Sequence, residues 1–165
     1  MLVRYGVIPQ VGRYMAGTVA AETLQRGTRV VVTTDRGREL GEVLETVPAG
    51  LADGHESAGM VERAATGEDE ERHQRRQRQA AESFEGWQER ILEWQLELEL
   101  MDVEYTLDDD RQILYVINER GAETTRLALL AAAAGLGIIS VQPVGVDGII
   151  EQAGGGCGSG CGCGH

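Results

Sequence analysis

All three cysteines of the 165-residue sequence lie in the stretch GGGCGSGCGCGH, as Cys157, Cys161 and Cys163, with His165 two residues further on. Thiolate is a soft ligand that favours zinc, copper(I) or iron–sulfur clusters. The intervening glycines place few steric limits on a backbone that must wrap around a metal. The C-x3-C-x-C spacing therefore predicts a metal site with these three cysteines as ligands, and His165 completes a Cys3His set of the kind that binds zinc tetrahedrally.

The donor set leaves the identity of the metal open. A [4Fe–4S] cluster usually takes four thiolates, so such a cluster needs a fourth ligand from His165 or from a partner protein. The competing interpretation is a disordered glycine-rich tail with incidental cysteines. Three cysteines within residues 157–163, and none before them, favour metal ligation. From the residues alone, a zinc site and an iron–sulfur cluster with a fourth ligand from a partner stay open as alternatives.

A second candidate site is a run of basic residues in ERHQRRQRQ: Arg72, Arg75, Arg76 and Arg78. On a helix these side chains spread over a broad face, with Arg72 and Arg76 aligned one turn apart. They could contact RNA phosphates or an acidic partner. A solvated helix face, balanced by the acidic GEDEE just upstream, is the interpretation that we favour. His55 and His73 lack ligand-like neighbours and are predicted to be surface residues.

Motifs of common enzymes are absent: the sequence contains no G-x-S-x-G, no Walker loop and no H-E-x-x-H. Glu39 and Glu42 in GRELGEV are the nearest approach to a pair of catalytic carboxylates. On a strand, their odd separation places them on opposite faces, where they cannot cooperate. We therefore predict a protein without catalytic activity.

The net charge and the distribution of apolar residues limit the classes of partner and the cellular compartment that we predict. The net charge of -12 argues against wholesale binding to nucleic acid or to an anionic membrane. No apolar run approaches the roughly 18 residues that a bilayer span needs. The opening MLVRYGVIPQ lacks the organisation of a signal peptide. These features predict a cytoplasmic protein with no membrane insertion.

Residues 1–47 have the pattern of β structure. LVRYGVI and VGRYMAG predict two strands, and RVVVTTDRGRELGEVLETV predicts a hairpin in which Gly37 adopts a positive φ. Four short strands with glycine turns favour a small barrel or a curled antiparallel sheet. The small and polar residues 48–59 predict a linker.

Residues 60–146 predict an α+β region in the order helix, strand, strand, helix, strand. The first helix has Thr66 as N-cap and Asp69 in its first turn. Its large apolar side chains recur at helical spacing and predict a stripe docked on a sheet: Phe84, Trp87, Ile91, Trp94 and Leu98.

The rest of this region predicts a three-stranded sheet with both helices on one face. ELMDVEYTLD and RQILYVINER form a hairpin around Asp108–Asp110, and GIISVQPVGV is the last strand. Between them, ETTRLALLAAAAG predicts a helix capped near Thr124 and ended by Gly135. Residues 147–165 are predicted to be a disordered tail rich in glycine and cysteine.

Four stretches resemble one known family: VVVTTDRGRELGEVL, RAATGEDEE, LMDVEYTLD and SVQPVGV. They are similar to the polymerase-suppressor C-terminal homology family, whose bacterial members include a regulatory iron–sulfur subunit. The resemblance implies a cytoplasmic, non-catalytic adaptor that joins small helical proteins in an iron–sulfur complex. Such complexes modulate RNase Y-dependent mRNA processing, with effects on sporulation. The resemblance therefore favours a [4Fe–4S] cluster shared with a partner as the cofactor, with zinc as the alternative. Relatives carry one cysteine and then an adjacent pair, whereas Gly162 separates the pair here.

Overall fold

The computed structural model describes residues 1–16, 24–46, 57–108, 111–118, 122–146 and 148–150. These residues form a β-barrel followed by an α+β unit, which confirms the predicted fold class. The barrel strands are β1 Leu2–Tyr5, β2 Gln10–Ala16, β3 Arg29–Thr34, β4 Gly37–Glu45 and β5 Gly59–Ala64. The other elements are α1 Gly67–Glu93, β6 Glu99–Tyr105, β7 Arg111–Ile117, α2 Ala122–Ala133, β8 Ile138–Gly145 and β9 Gly148–Ile149.

The barrel has the strand order β1-β2-β5-β3-β4 and is closed by antiparallel pairing of β1 with β4. Strands β3 and β4 form the predicted hairpin, in which Thr34 pairs with Gly37 across a two-residue turn. Gly37 has a φ of +128°, as its place in the turn predicts. The barrel is filled by buried apolar side chains: Val3, Tyr14, Leu24, Val30, Val32, Val43 and Val61.

Strand β5 is an element that the sequence analysis missed, because it expected the region from residue 60 to begin with a helix. The strand pairs parallel with β2 and antiparallel with β3, and so completes the barrel. Its sequence GMVERA buries only Val61, which leaves almost no apolar alternation to detect. A Cβ on Gly59 would lie 1.9 Å from the Thr33 carbonyl oxygen, so this crossing requires glycine.

Helix α1 begins as predicted. The Thr66 side chain accepts a hydrogen bond from the Asp69 backbone N–H, and an Asp69 carboxylate oxygen accepts one from the Thr66 N–H at 2.8 Å. This reciprocal pair is a capping box, which satisfies backbone donors that a helix start leaves free. Because the capping box involves residues only three positions apart, the start of the helix could be predicted from the sequence.

The apolar stripe of α1 packs in the core, but the helix ends before the last two stripe residues, Trp94 and Leu98. Trp87 and Ile91 are buried, and the other three stripe residues pack against the same cluster. The helix ends at Glu93, where Gln95 takes a positive φ of 52° and the Leu96 N–H donates to the Ile91 carbonyl. Glycine usually takes the positive-φ position of a Schellman-type helix end. Glutamine takes it here, so the residue type did not predict where the helix ends.

The sheet of the α+β unit has the order β6-β7-β8-β9. Strands β6 and β7 form the predicted antiparallel hairpin, and β8 runs parallel to β7. The expected sheet had three strands, and the fourth, β9, pairs antiparallel with β8. Its residues Gly148 and Ile149 belong to the segment predicted as a disordered tail, so that prediction is wrong for them; residues 151–165 lie outside the described residues.

Helix α2 differs from the prediction at its start. It begins at Ala122, so Thr124 lies buried within its first turn and is not the cap. Gly135, two residues after the last helical residue, has a φ of +69° and marks the predicted end. Neither helix of the described ranges combines the length and the apolar character needed to cross a membrane.

The sheet is covered on both faces. Leu114 and Val116 of β7 share one core with side chains of α1 and α2, which confirms that both helices pack on one face. Because side chains alternate along a strand, Ile113 and Tyr115 lie on the opposite face, and both are fully buried. Tyr115 is hydrogen-bonded there to Arg36 of the barrel, so the barrel packs on the second face.

Candidate functional site

The predicted metal ligands Cys157, Cys161, Cys163 and His165 lie outside the described residues. Within the described part of the chain, no group of three or more His, Cys, Asp or Glu side chains is placed to hold a metal ion. The metal prediction therefore concerns the tail segment alone and stays a prediction.

The four arginines of α1 do not present one surface. Arg76 turns toward the body, where Nη2 donates to the Asp108 carbonyl at 3.2 Å and the guanidinium lies 5.8 Å from the Tyr105 ring centroid. Arg75 lies 3.9 Å from Glu71 in an exposed ion pair. Arg72 is half-buried and Arg78 is exposed. Arg76 therefore packs against the body, whereas Arg75 and Arg78 are exposed to solvent. RNA binding by these four arginines stays a prediction.

A buried polar cluster lies where the barrel meets the sheet. Arg36, at the tip of the β3–β4 hairpin, donates from Nε and Nη2 to the two carboxylate oxygens of Glu39 at 3.1 and 2.6 Å. Thr34 Oγ1 donates to the same carboxylate at 2.6 Å. Arg36 and Glu39 are only 7% and 3% exposed. Bidentate pairs of this kind are strong and fix the geometry of both partners.

The cluster continues across the interface. Arg36 Nη1 donates to Tyr115 Oη at 2.9 Å, and Tyr115 in turn donates to Glu104 Oε2 at 2.5 Å. At the rim, Arg38 binds the Asp108 carboxylate through its Nε at 2.9 Å and its backbone N–H at 2.8 Å. We call Arg36, Glu39, Glu104 and Tyr115 the interface cluster. Its hydrogen bonds join the β3–β4 hairpin of the barrel to β6 and β7.

The electrostatics of the interface cluster are unbalanced, because one arginine faces two carboxylates. Burial raises the pKa of Glu39 to about 7, against the effect of Arg36 and Thr34, and Glu104 adds to the rise. Burial and Glu104 also raise the pKa of Tyr115, which keeps its hydroxyl protonated as a donor. Burial opposes the charge of Arg36, but its acidic neighbours still raise its pKa.

Two neighbouring clefts lie beside Glu104, and they share Val7, His73, Gln77 and Glu104 as lining residues. Their volumes are about 120 and 230 Å³. His73, predicted to lie at the surface, is half-buried in their wall, and burial together with Arg29 lowers its pKa. His73 is half-buried because α1 also contacts the barrel, where the Glu70 carboxylate lies 3.1 Å from Arg29 Nε. His55 lies outside the described residues.

Residues 59–127 match the family model described as the PSP1 C-terminal conserved region. Over these residues the chain is similar to the PSP1 C-terminal conserved region. This finding confirms the resemblance that was inferred in part from RAATGEDEE and LMDVEYTLD, which both lie within the matched residues. Neither the curated proteins nor the solved structures include a match to the chain.

The PSP1 region spans β5, α1, β6, β7 and the first half of α2. It supplies the Glu104 and Tyr115 half of the interface cluster, while the barrel hairpin before it supplies Arg36 and Glu39. The predicted ligands of the tail follow it. Strand β5, which the match includes, is an integral part of the barrel, so the PSP1 region joins the two parts of the fold.

Sequence reasoning missed the interface cluster. It correctly placed Glu39 and Glu42 apart, since Glu42 binds Arg4 at 2.8 Å while Glu39 binds Arg36. It did not predict that Glu39 is buried. A usable signal lay in β7, where consecutive large residues from Ile113 to Val116 leave no polar face for solvent. Such a strand must be covered on both sides.

Proposed function

We propose that this protein is a cytoplasmic, non-enzymatic adaptor, the regulatory subunit of an iron–sulfur-linked complex that modulates RNase Y-type mRNA processing and developmental control such as sporulation. Its partners in this proposal are small helical regulatory proteins and an RNase. The match of residues 59–127 to the PSP1 C-terminal conserved region is the observation that carries the proposal. The confinement of all cysteines to residues 157–163 supports it.

The donor chemistry of the tail fits a metal and favours a shared site. Three thiolates and one imidazole complete a tetrahedral zinc set, whereas a [4Fe–4S] cluster lacks one thiolate. A partner that supplies the fourth thiolate makes cluster binding depend on assembly. Binding must also offset the conformational entropy that a glycine-rich segment loses on ordering. The proposal therefore has the lone chain hold metal weakly and the assembled complex hold it tightly.

Reconstitution under anaerobic conditions tests the metal-binding part of this proposal. We expect fractional zinc on the isolated chain, and iron–sulfur absorption when the helical partners are added. Cys157→Ser, Cys161→Ser and Cys163→Ser should each remove most of the bound metal, because each removes a thiolate ligand. Ultraviolet–visible spectra with zinc, iron and sulfide analysis measure the outcome. Ser159→Ala, in the same segment, is the matched control and should bind as wild type does.

Two results would contradict the metal assignment. One is a triple cysteine variant that takes up as much metal as wild type, and the other is a wild-type chain that binds no metal with or without partners. In either case the function would rest on the PSP1 match alone. A zinc content that partners do not convert to cluster absorption would favour the alternative of a zinc-binding interaction protein.

The other alternative is an RNA-binding module that uses Arg72, Arg75, Arg76 and Arg78. We expect only weak binding to single-stranded RNA, because the chain carries a net charge of -12 and Arg76 is engaged with the body. Fluorescence anisotropy with a labelled oligonucleotide at two salt concentrations measures this. Strong affinity that falls steeply with added salt, and that Arg78→Ala weakens, would favour the RNA-binding function instead.

A further inference from the structure

The larger of the two clefts beside Glu104 has apolar walls and an acidic end. It lies between α1 and β6, with Val7 of the barrel at its rim and a volume of about 230 Å³. Ala80, Ala81 and Val103 supply apolar wall, while Asp102 and Glu104 supply carboxylates. This volume fits one short aliphatic stem with a polar head. It is below the roughly 300–1,000 Å³ of sites that bind drug-sized ligands.

Glu104 is the buried carboxyl group of this cleft, and it forms no salt bridge with another described residue. It is 8% exposed, and its Oε2 accepts the Tyr115 hydrogen bond at 2.5 Å. Within the described ranges no ion pair reaches Glu104, and its one hydrogen bond leaves Oε1 without a donor. Burial of a carboxylate without a cation is costly. The residue therefore favours a cationic donor on its cleft side.

The nearby cations are committed elsewhere. Arg36 gives its donors to Glu39 and Tyr115. Arg29 binds Glu70 at 3.1 Å, and Arg4 binds Glu42 at 2.8 Å. His73 lines the cleft, and burial and Arg29 lower its pKa, which favours the neutral imidazole. A neutral imidazole and the Gln77 amide can orient a ligand without repelling a positive charge.

We propose that this cleft binds a small organic cation, an alkylguanidinium or alkylamine whose stem lies along Ala80, Ala81 and Val103 and whose head donates to Glu104 Oε1. Apolar walls suit the methylene stem, as they do for the stems of arginine and lysine side chains. The charge-assisted hydrogen bond fixes the head. The inference does not depend on the metal-binding tail, so either proposal can fail without the other.

The test is a nuclear magnetic resonance titration of the full chain with n-butylguanidinium, beside its neutral counterpart n-butylurea. We expect saturable shifts of backbone amides in residues 73–81 and 102–105 with the cation, and much smaller shifts with the urea. Glu104→Gln should weaken binding by roughly 10- to 100-fold, the range of one charge-assisted hydrogen bond. The exposed Glu82→Gln on α1 removes the same charge and should leave affinity unchanged.

A second variant separates loss of binding from loss of fold. Ala81 is exposed at the cleft wall, so Ala81→Phe should occlude the cleft and abolish the shifts while Glu104 and Tyr115 stay in place. Circular dichroism melts of each variant verify folding. Absence of saturable shifts in wild type, equal binding of n-butylurea, or unchanged affinity in both Glu104→Gln and Ala81→Phe would overturn the proposal.

Discussion

Replacement of Arg36 by methionine is expected to lower the free energy of unfolding by roughly 3–5 kcal/mol, the range for removal of one partner from a buried ion pair. Arg36 is 7% exposed, and its guanidinium makes three hydrogen bonds, two to Glu39 and one to Tyr115. Without the guanidinium, Glu39 stays buried and must be protonated or left uncompensated. Urea denaturation followed by tryptophan fluorescence and by far-ultraviolet circular dichroism measures the loss.

Arg38→Met is the matched control for this prediction. Its ion pair with Asp108 lies at the rim, with the arginine side chain 45% exposed, so the loss should stay below about 1 kcal/mol. The double variant Arg36→Met/Glu39→Leu should recover part of the loss of Arg36→Met, because it removes the unpaired carboxylate as well. Equal effects of Arg36→Met and Arg38→Met would show that the interface cluster does not stabilise the fold.

The elements that could be predicted from the sequence are those with local signals. A turn flanked by β-branched residues predicts the β3–β4 hairpin, since Gly37 supplies the positive φ within the turn region itself. Thr66 and Asp69 predict the start of α1 because the capping box needs only residues three positions apart. The spacing of Trp87 and Ile91 likewise predicts a buried helix face.

The elements that escaped prediction depend on distant partners. Strand β5 owes its existence to pairing with β2 and β3, and its own residues are mostly exposed. Arg36 and Tyr115 are 79 residues apart in sequence. In isolation Glu104 looks like the polar position of an alternating strand, and such positions usually face water. Only the packing of the barrel on that face of the sheet buries it and gives its charge a role.

Trp87→Ala should lower the free energy of unfolding by about 3–5 kcal/mol, as removal of a large core side chain does. Trp87 is 3% exposed in the core between α1 and the sheet. Its Nε1 also donates to Gln112 Oε1 at 3.1 Å, so the variant leaves this β7 amide without its donor. Thermal and urea unfolding measured by circular dichroism give the change.

Leu92→Ala, on the same helix, is the control because Leu92 is 78% exposed, and its effect should stay within about 0.5 kcal/mol. The contrast between the two variants decides what the helix stripe does. A Trp87→Ala chain as stable as wild type, but unable to capture helical partner proteins, would make the stripe an interaction surface. The burial of Trp87 and Ile91 against Leu100, Leu114 and Leu127 argues instead that the stripe holds α1 on the sheet.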